Sequence, residues 1–210
     1  IAVKFFTWFA TLCYWQSITD GLALSLYNTK DVHSELYKQA GVLTGNVNGT
    51  YNIICFLSAF FLVPVARKLG AGVTHFISLT LAGIAIFFMS SYSNDAILFS
   101  IPNIFSGGVI PVSQIYLISL GLGIGWASML SMPYSMLSSA LPSNRIGIYM
   151  GIFNMFIVLP MLIQTLTMDF VMENFLGNNK IHELQLAGVF LILGGICTLF
   201  VKKHQPSETV

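Results

Sequence analysis

Residues Tyr116–Gly151 read YLISLGLGIGWASMLSMPYSMLSSALPSNRIGIYMG. The apolar run begins at Ile115 and holds to Leu141, longer than the roughly 20 residues a helix needs to cross a bilayer. Three alternate glycines, Gly121, Gly123 and Gly125, are followed by Trp126, Pro133 and Tyr134. A short polar elbow, Ser143-Asn144-Arg145, interrupts the run before a second one opens at Ile146. The stretch therefore predicts two membrane-crossing helices joined by a tight turn on the cytoplasmic side.

The rest of the chain agrees with a membrane setting. Of 210 residues, 55% are hydrophobic and 8% charged, and the mean hydropathy is +0.78. A soluble domain carries about 25% charged residues, so this chain has too few to cover a water-exposed surface. The net charge of +1 gives no case for nucleic acid. Cys13, Cys55 and Cys197 all sit inside apolar segments without C-x-x-C spacing, and read as small packing residues. The chain opens at Ile1 directly in an apolar run, without a basic leader or a small-residue cleavage site. It reads as the later part of a longer chain.

Six spans are expected: about 5–27, 47–65, 73–92, 115–141, 146–168 and 184–201. Lys30–Gly45 reads as a solvated loop. The segment 96–112 is apolar but short, and Pro102, Gly107-Gly108 and Pro111 break it. Each break frees backbone groups that lipid cannot satisfy. Basic residues decide its status, because cytoplasmic loops carry the excess of Lys and Arg. If 96–112 does not cross and the N-terminus is inside, Lys4, Arg67, Lys68, Arg145, Lys202 and Lys203 are inside, against Lys30, Lys38 and Lys180 outside. If it crosses, the excess reverses. The segment is therefore expected to be an external insertion, a partly membrane-seated loop or broken helix. Six crossings with both ends cytoplasmic make an all-α integral membrane protein, of the size of one half of a two-times-six transporter.

Several polar and aromatic residues lie inside these spans. Gly121, Gly125, Ser128 and Ser131 share one helical face and would admit a neighbouring helix closely. Pro133 removes a backbone hydrogen bond and bends the helix. Trp126 is near mid-bilayer, where Trp is less usual than at the interfaces; it would either stack on a sugar ring or pack internally. Tyr134 carries a hydroxyl that needs a partner when buried. Asn154 and Gln164 flank Pro160 in the fifth span; their amides would either bond substrate hydroxyls or hold helices together. Trp15, Gln16 and Asp20 cluster in the first span and Asn52 lies in the second. Asp20 is either an intramembrane proton carrier or, if the helix unwinds at Gly21, a group at the outer water. Asp169 and Glu173 close the fifth span as surface charges. Arg67, Lys68, His75 and Arg145 mark the inner side, as a topology-setting cluster or a gating clamp. No enzyme, metal or cofactor signature appears.

Three stretches together resemble the C-terminal half of major facilitator superfamily transporters. They are Phe5-Phe6-Thr7-Trp8-Phe9, Gly123-Ile124-Gly125-Trp126-Ala127-Ser128 with Met132-Pro133-Tyr134, and Gly147–Asn154 followed by Phe156–Pro160. The branch they resemble is the bacterial sucrose/maltose-type sugar:proton symporters. The resemblance implies one six-helix half of a twelve-helix fold in the inner membrane. It implies a sugar and a proton as cargo and an N-terminal six-helix half as partner. It also implies site roles for Trp126, Tyr134 and Asn154, with Thr74-His75 matching after the inner loop. On the residues alone the solute could be a nucleoside, glycoside or organic acid, or the bundle a non-transporting scaffold or sensor.

Overall fold

The computed structural model describes residues 1–103, 107–138 and 146–201, with the side chain of 146 left out. The elbow at 143–145, Arg145 included, lies outside the described residues. Six long helices occur where six apolar segments are expected: α1 (Ala2–Tyr27), α2 (Glu35–Leu69), α3 (Ala71–Phe87), α4 (Leu117–Ser138), α5 (Ile146–Asn174) and α6 (Lys180–Leu199). α4, with the 3₁₀ turn Gln114–Tyr116 leading into it, and α2, α5 and α6 are each long and apolar enough to cross a membrane. α3 is apolar but has 17 residues.

Local chemistry sets the helix ends. α1 stops at Asn28, which takes the left-handed conformation (φ 49°) and donates its backbone N–H to Ala23 O. Asn tolerates that conformation better than most residues. Ser34 caps α2, its Oγ accepting from Tyr37 N at 3.1 Å. That cap corrects the expected loop over Lys30–Gly45. The connection closes at Ser34, and the polar residues after it form the first turns of a 35-residue helix. At 1.5 Å per residue, α2 is about 52 Å long, well beyond the roughly 30 Å of a hydrocarbon core. Its polar N-terminal turns have room outside the lipid.

The segment 96–112 is a β-hairpin rather than a broken helix. β1 (Ile97–Pro102) pairs antiparallel with β2 (Val109–Ser113), with Ile101 opposite Ile110. β-Branched and aromatic residues favour this geometry. Asn103 N bonds Gly108 O at 2.8 Å, and Gly107 takes φ 71° in the turn. Pro102 and Pro111 are tolerated because both strands of a lone hairpin are edges. The hairpin's base is tied to the bundle by Ser93 N to Gln114 Oε1 at 3.2 Å.

α3 lies between α4 and α6, and α1 packs on α6, α5 and α2. Small residues make these contacts close. A Cβ added at Gly121 would lie 2.8 Å from Leu81 O, and one at Gly125 2.6 Å from the Ala82 methyl, both on α3. A Cβ at Gly123 would instead meet Tyr51 O of α2 at 2.8 Å. The alternating glycines thus let α4 sit against two neighbours at once. Lipid provides no hydrophobic drive between helices, so this close approach is what recovers dispersion energy.

Candidate functional site

Each expected site residue except Arg145 can be placed. Trp126, half-buried on α4, meets Trp8 and Trp15 of α1 edge-on, with ring centroids 5.7 and 5.5 Å apart. Trp15 is 40% exposed. Gln16, beside it on α1, accepts a hydrogen bond from Gln164 Nε2 of α5 at 2.9 Å. Gln164 is fully buried and its Oε1 has no hydrogen-bond partner among the described residues. Tyr134 donates to Asn154 Oδ1 at 2.7 Å, joining α4 to α5, and its ring meets Phe153 edge-on. Asn52 is exposed on α2 and bonds its own helix at Asn48 O.

Three contacts therefore connect α1, α4 and α5: the tryptophan cluster, the Gln16–Gln164 amide pair and the Tyr134–Asn154 bond. Along α1, Leu12, Trp15, Gln16 and Thr19 form a stripe at helical spacing, half-buried or exposed, that faces away from the core. On α2 and α5 most apolar side chains are exposed, Phe56, Phe60 and Phe61 on α2 and Met155, Val158 and Leu162 on α5 among them. Aromatic faces and amides on one open surface can stack on a pyranose ring and both donate to and accept from its hydroxyls.

Asp20 stands apart from that set. α1 does not unwind at Gly21; it runs helical to Tyr27, with Gly21 buried against Leu184. Asp20 is half-buried and accepts from the Tyr37 hydroxyl at 2.5 Å. The inner-side residues also separate. Arg67 and Lys68 are exposed at the end of α2, whereas His75 is fully buried, with Nδ1 2.7 Å from Ser128 Oγ on α4. His75 is a core contact between α3 and α4 and not a member of the exposed basic pair.

Two charged residues carry more than their sequence positions announced. Lys4 reads as an inside charge at the start of the first span. It is in fact buried, its Nζ over the rings of Phe153 (4.4 Å), Tyr134 (4.6 Å) and Trp8 (5.6 Å), without a hydrogen-bond partner among the described residues. Beside it lies a cavity of about 550 Å³, bordered by Gly70–Val73, Pro133, Phe153 and Thr198. None of the seven expected substrate-binding residues lines that cavity. Glu183 lies just before the expected start of the sixth span and is fully buried. A signal existed for both: each is a charge flush against an apolar run.

Helices of this length and apolarity, packed through glycines, define a polytopic α-helical protein embedded in a membrane. Comparison with known proteins finds no matching family model, no matching curated protein and no matching solved structure.

Proposed function

We propose that this chain is the C-terminal six-helix half of a major facilitator-type permease that moves a sugar together with a proton by alternating access. All six helices would cross the cytoplasmic membrane, with both ends of the chain inside and the β-hairpin outside. The observation that carries the reading is the open face of α1, α4 and α5. There Trp15 and Trp126, the Gln16–Gln164 pair and the Tyr134–Asn154 pair lie between two helices, α2 and α5, whose apolar surfaces are largely uncovered. A second six-helix half laid on α2 and α5 would turn this face into a central cavity at mid-membrane. α4, which carries Pro133 within its span and is close-packed at Gly121 and Gly125, would act as a lever between two arrangements. Asp20 is a candidate for the coupling proton, and Arg67, Lys68 and Arg145 for the inner rim.

Uptake into vesicles by the full-length protein tests the reading. Labelled sucrose and maltose are offered with and without an inward proton gradient. Gradient-dependent accumulation of either supports it. Absence of uptake of both, with the protein present in the membrane, refutes the disaccharide reading. One observation favours a second solute class: the buried ammonium of Lys4 lies against Tyr134 at the inner end of the face, where a carboxylate could pair with it. Organic acids therefore belong in the same uptake series.

A further inference from the structure

We propose that Glu183 takes up and releases the coupling proton of the transport cycle, a role for which the sequence offers Asp20 as a candidate; the inference rests on the transport reading above. Glu183 is in the first turn of α6 and is fully buried. Its Oε2 meets Lys180 Nζ at 2.8 Å, while its Oε1 has no hydrogen-bond partner among the described residues. The Lys180 side chain is 38% exposed. Its ammonium thus joins a carboxylate that water does not reach to the surface where water is. A buried carboxylate satisfied on one oxygen is costly, and an ionisable group held inside a membrane bundle marks an ion path by default. Asp20 does not meet that description, being half-buried and bonded by Tyr37.

α1 joins the helix of Glu183 to the proposed sugar face: Gly21 of α1 packs on Leu184, the residue after Glu183. On α1, the Cys13 thiol interacts with the Gln164 amide of α5. Gln164 in turn bonds Gln16, which is exposed on the face itself. Ser17, one turn beyond Cys13, is fully buried and its hydroxyl has no partner among the described residues. Polar groups thus continue from Gln16 through Gln164 to Cys13 in the interior. The other titratable groups nearby are accounted for. His182 is exposed, with Nδ1 2.9 Å from Leu176 O. Asp169 and Glu173 of α5 are exposed. On α3, His75 lies at the far end of the contact with α6, where Phe76 O would lie 3.2 Å from a Cβ on Gly195. Lys4 is at that end too, since Val3 O would lie 3.6 Å from a Cβ on Gly194.

In the proposed step, hydronium on the Lys180 side gives its proton to a Glu183 oxygen. One O–H bond forms on the carboxyl as one breaks in hydronium, and Lys180 keeps its own proton. After the two halves rock, that O–H bond breaks and the proton passes to water on the opposite side. One proton moves and no other bond changes.

Infrared difference spectroscopy of the full-length protein in lipid bilayers, over a pH series, tests proton binding directly. A carbonyl stretch from a protonated, water-excluded carboxyl is expected to titrate in the wild type and to vanish in Glu183→Gln. In uptake, Glu183→Gln should lose gradient-driven accumulation and keep sugar exchange across the membrane. An unchanged band in Glu183→Gln, or wild-type accumulation by it, overturns the proposal. If that variant does not reach the membrane, Glu183→Asp carries the test: the band should shift, and an unshifted band overturns the proposal. A band lost in Glu183→Gln of a protein that moves no sugar upholds proton binding at Glu183 and refutes the transport reading instead.

Discussion

Replacing Gly83 by alanine tests whether the bundle is held by close backbone approach. Gly83 of α3 and Gly188 of α6 face each other: a Cβ at Gly83 would lie 2.5 Å from Gly188 O and 2.7 Å from Ile192 Cγ1. Ordinary contact begins near 3.4 Å, so the oxygen contact is short by about 0.9 Å. The obstacle is backbone, and no rotamer change relieves it. The two helices must part along their length, losing contacts such as Leu79 against Gly195 and Phe87 against Gly188. Overpacking of this kind costs typically 1–3 kcal/mol; helix propensity returns about 1 kcal/mol, because alanine is the better helix former. The net loss is up to about 2 kcal/mol, a factor of up to roughly 30 in the folded population. Gly41→Ala is the control, since a Cβ there meets nothing within 4 Å and only the propensity gain remains. Denaturant titration of purified protein in mild detergent, followed by tryptophan fluorescence, reads both. Gly83→Ala should unfold at lower denaturant and Gly41→Ala at equal or higher. Equal midpoints for Gly83→Ala and wild type would refute the close-approach argument.

Ser128→Ala would remove the partner of His75 Nδ1 and leave both ring nitrogens of a buried imidazole without one among the described residues; a loss of about 1–3 kcal/mol is expected in the same titration. Trp126→Ala deletes two edge-on ring contacts, each worth about 0.5–1.5 kcal/mol. It should weaken apparent sugar affinity roughly tenfold at unchanged membrane abundance, since 1.4 kcal/mol is tenfold. Loss of abundance instead would assign Trp126 to packing. Asp20→Asn, compared with Glu183→Gln in the same uptake assay, should retain gradient-driven accumulation; its abolition would return the coupling proton to Asp20.

The positions of all six helices were legible because apolar runs of this length have few alternatives. The small-residue stripe was legible too: Gly121, Gly125 and Ser128 do face one neighbour, α3. Ser131, placed on the same face, instead bonds its own backbone at Ala127 O. What escaped were features set by a local cap, by a turn and by partners far along the chain. The start of α2 escaped because a capping serine outweighed the polarity of the residues after it. The hairpin escaped because its prolines and glycines read equally as breaks in a helix. Lys4 and Glu183 escaped because a charge at the end of an apolar run ordinarily sits in water. The burial of Lys4 depends on the rings of Tyr134 and Phe153, some 130 and more residues away.

The uncovered face also limits how the chain can sit in a bilayer. Gln16, Asn52 and Asn154 are exposed on α1, α2 and α5, and on α2 and α5 many Phe, Leu, Ile, Met and Val side chains are exposed beside them. Hydrocarbon satisfies the apolar residues but not the amides, and an amide left without a partner there costs several kcal/mol. Pairing on one side is not enough: Gln16 gives its oxygen to Gln164, but its own NH₂ has two donors to place. Water alone would satisfy the amides and strand the aromatics Phe56, Phe60 and Phe61 on α2. A surface that is apolar where it meets α2 and α5, yet encloses a wet cleft over α1 and α4, would satisfy both sets, and the second helical half proposed above would supply it. Separating the chain from such a half should therefore lower its stability more than any single substitution above. An isolated chain as stable in bilayers as the full-length protein would remove the need for a partner.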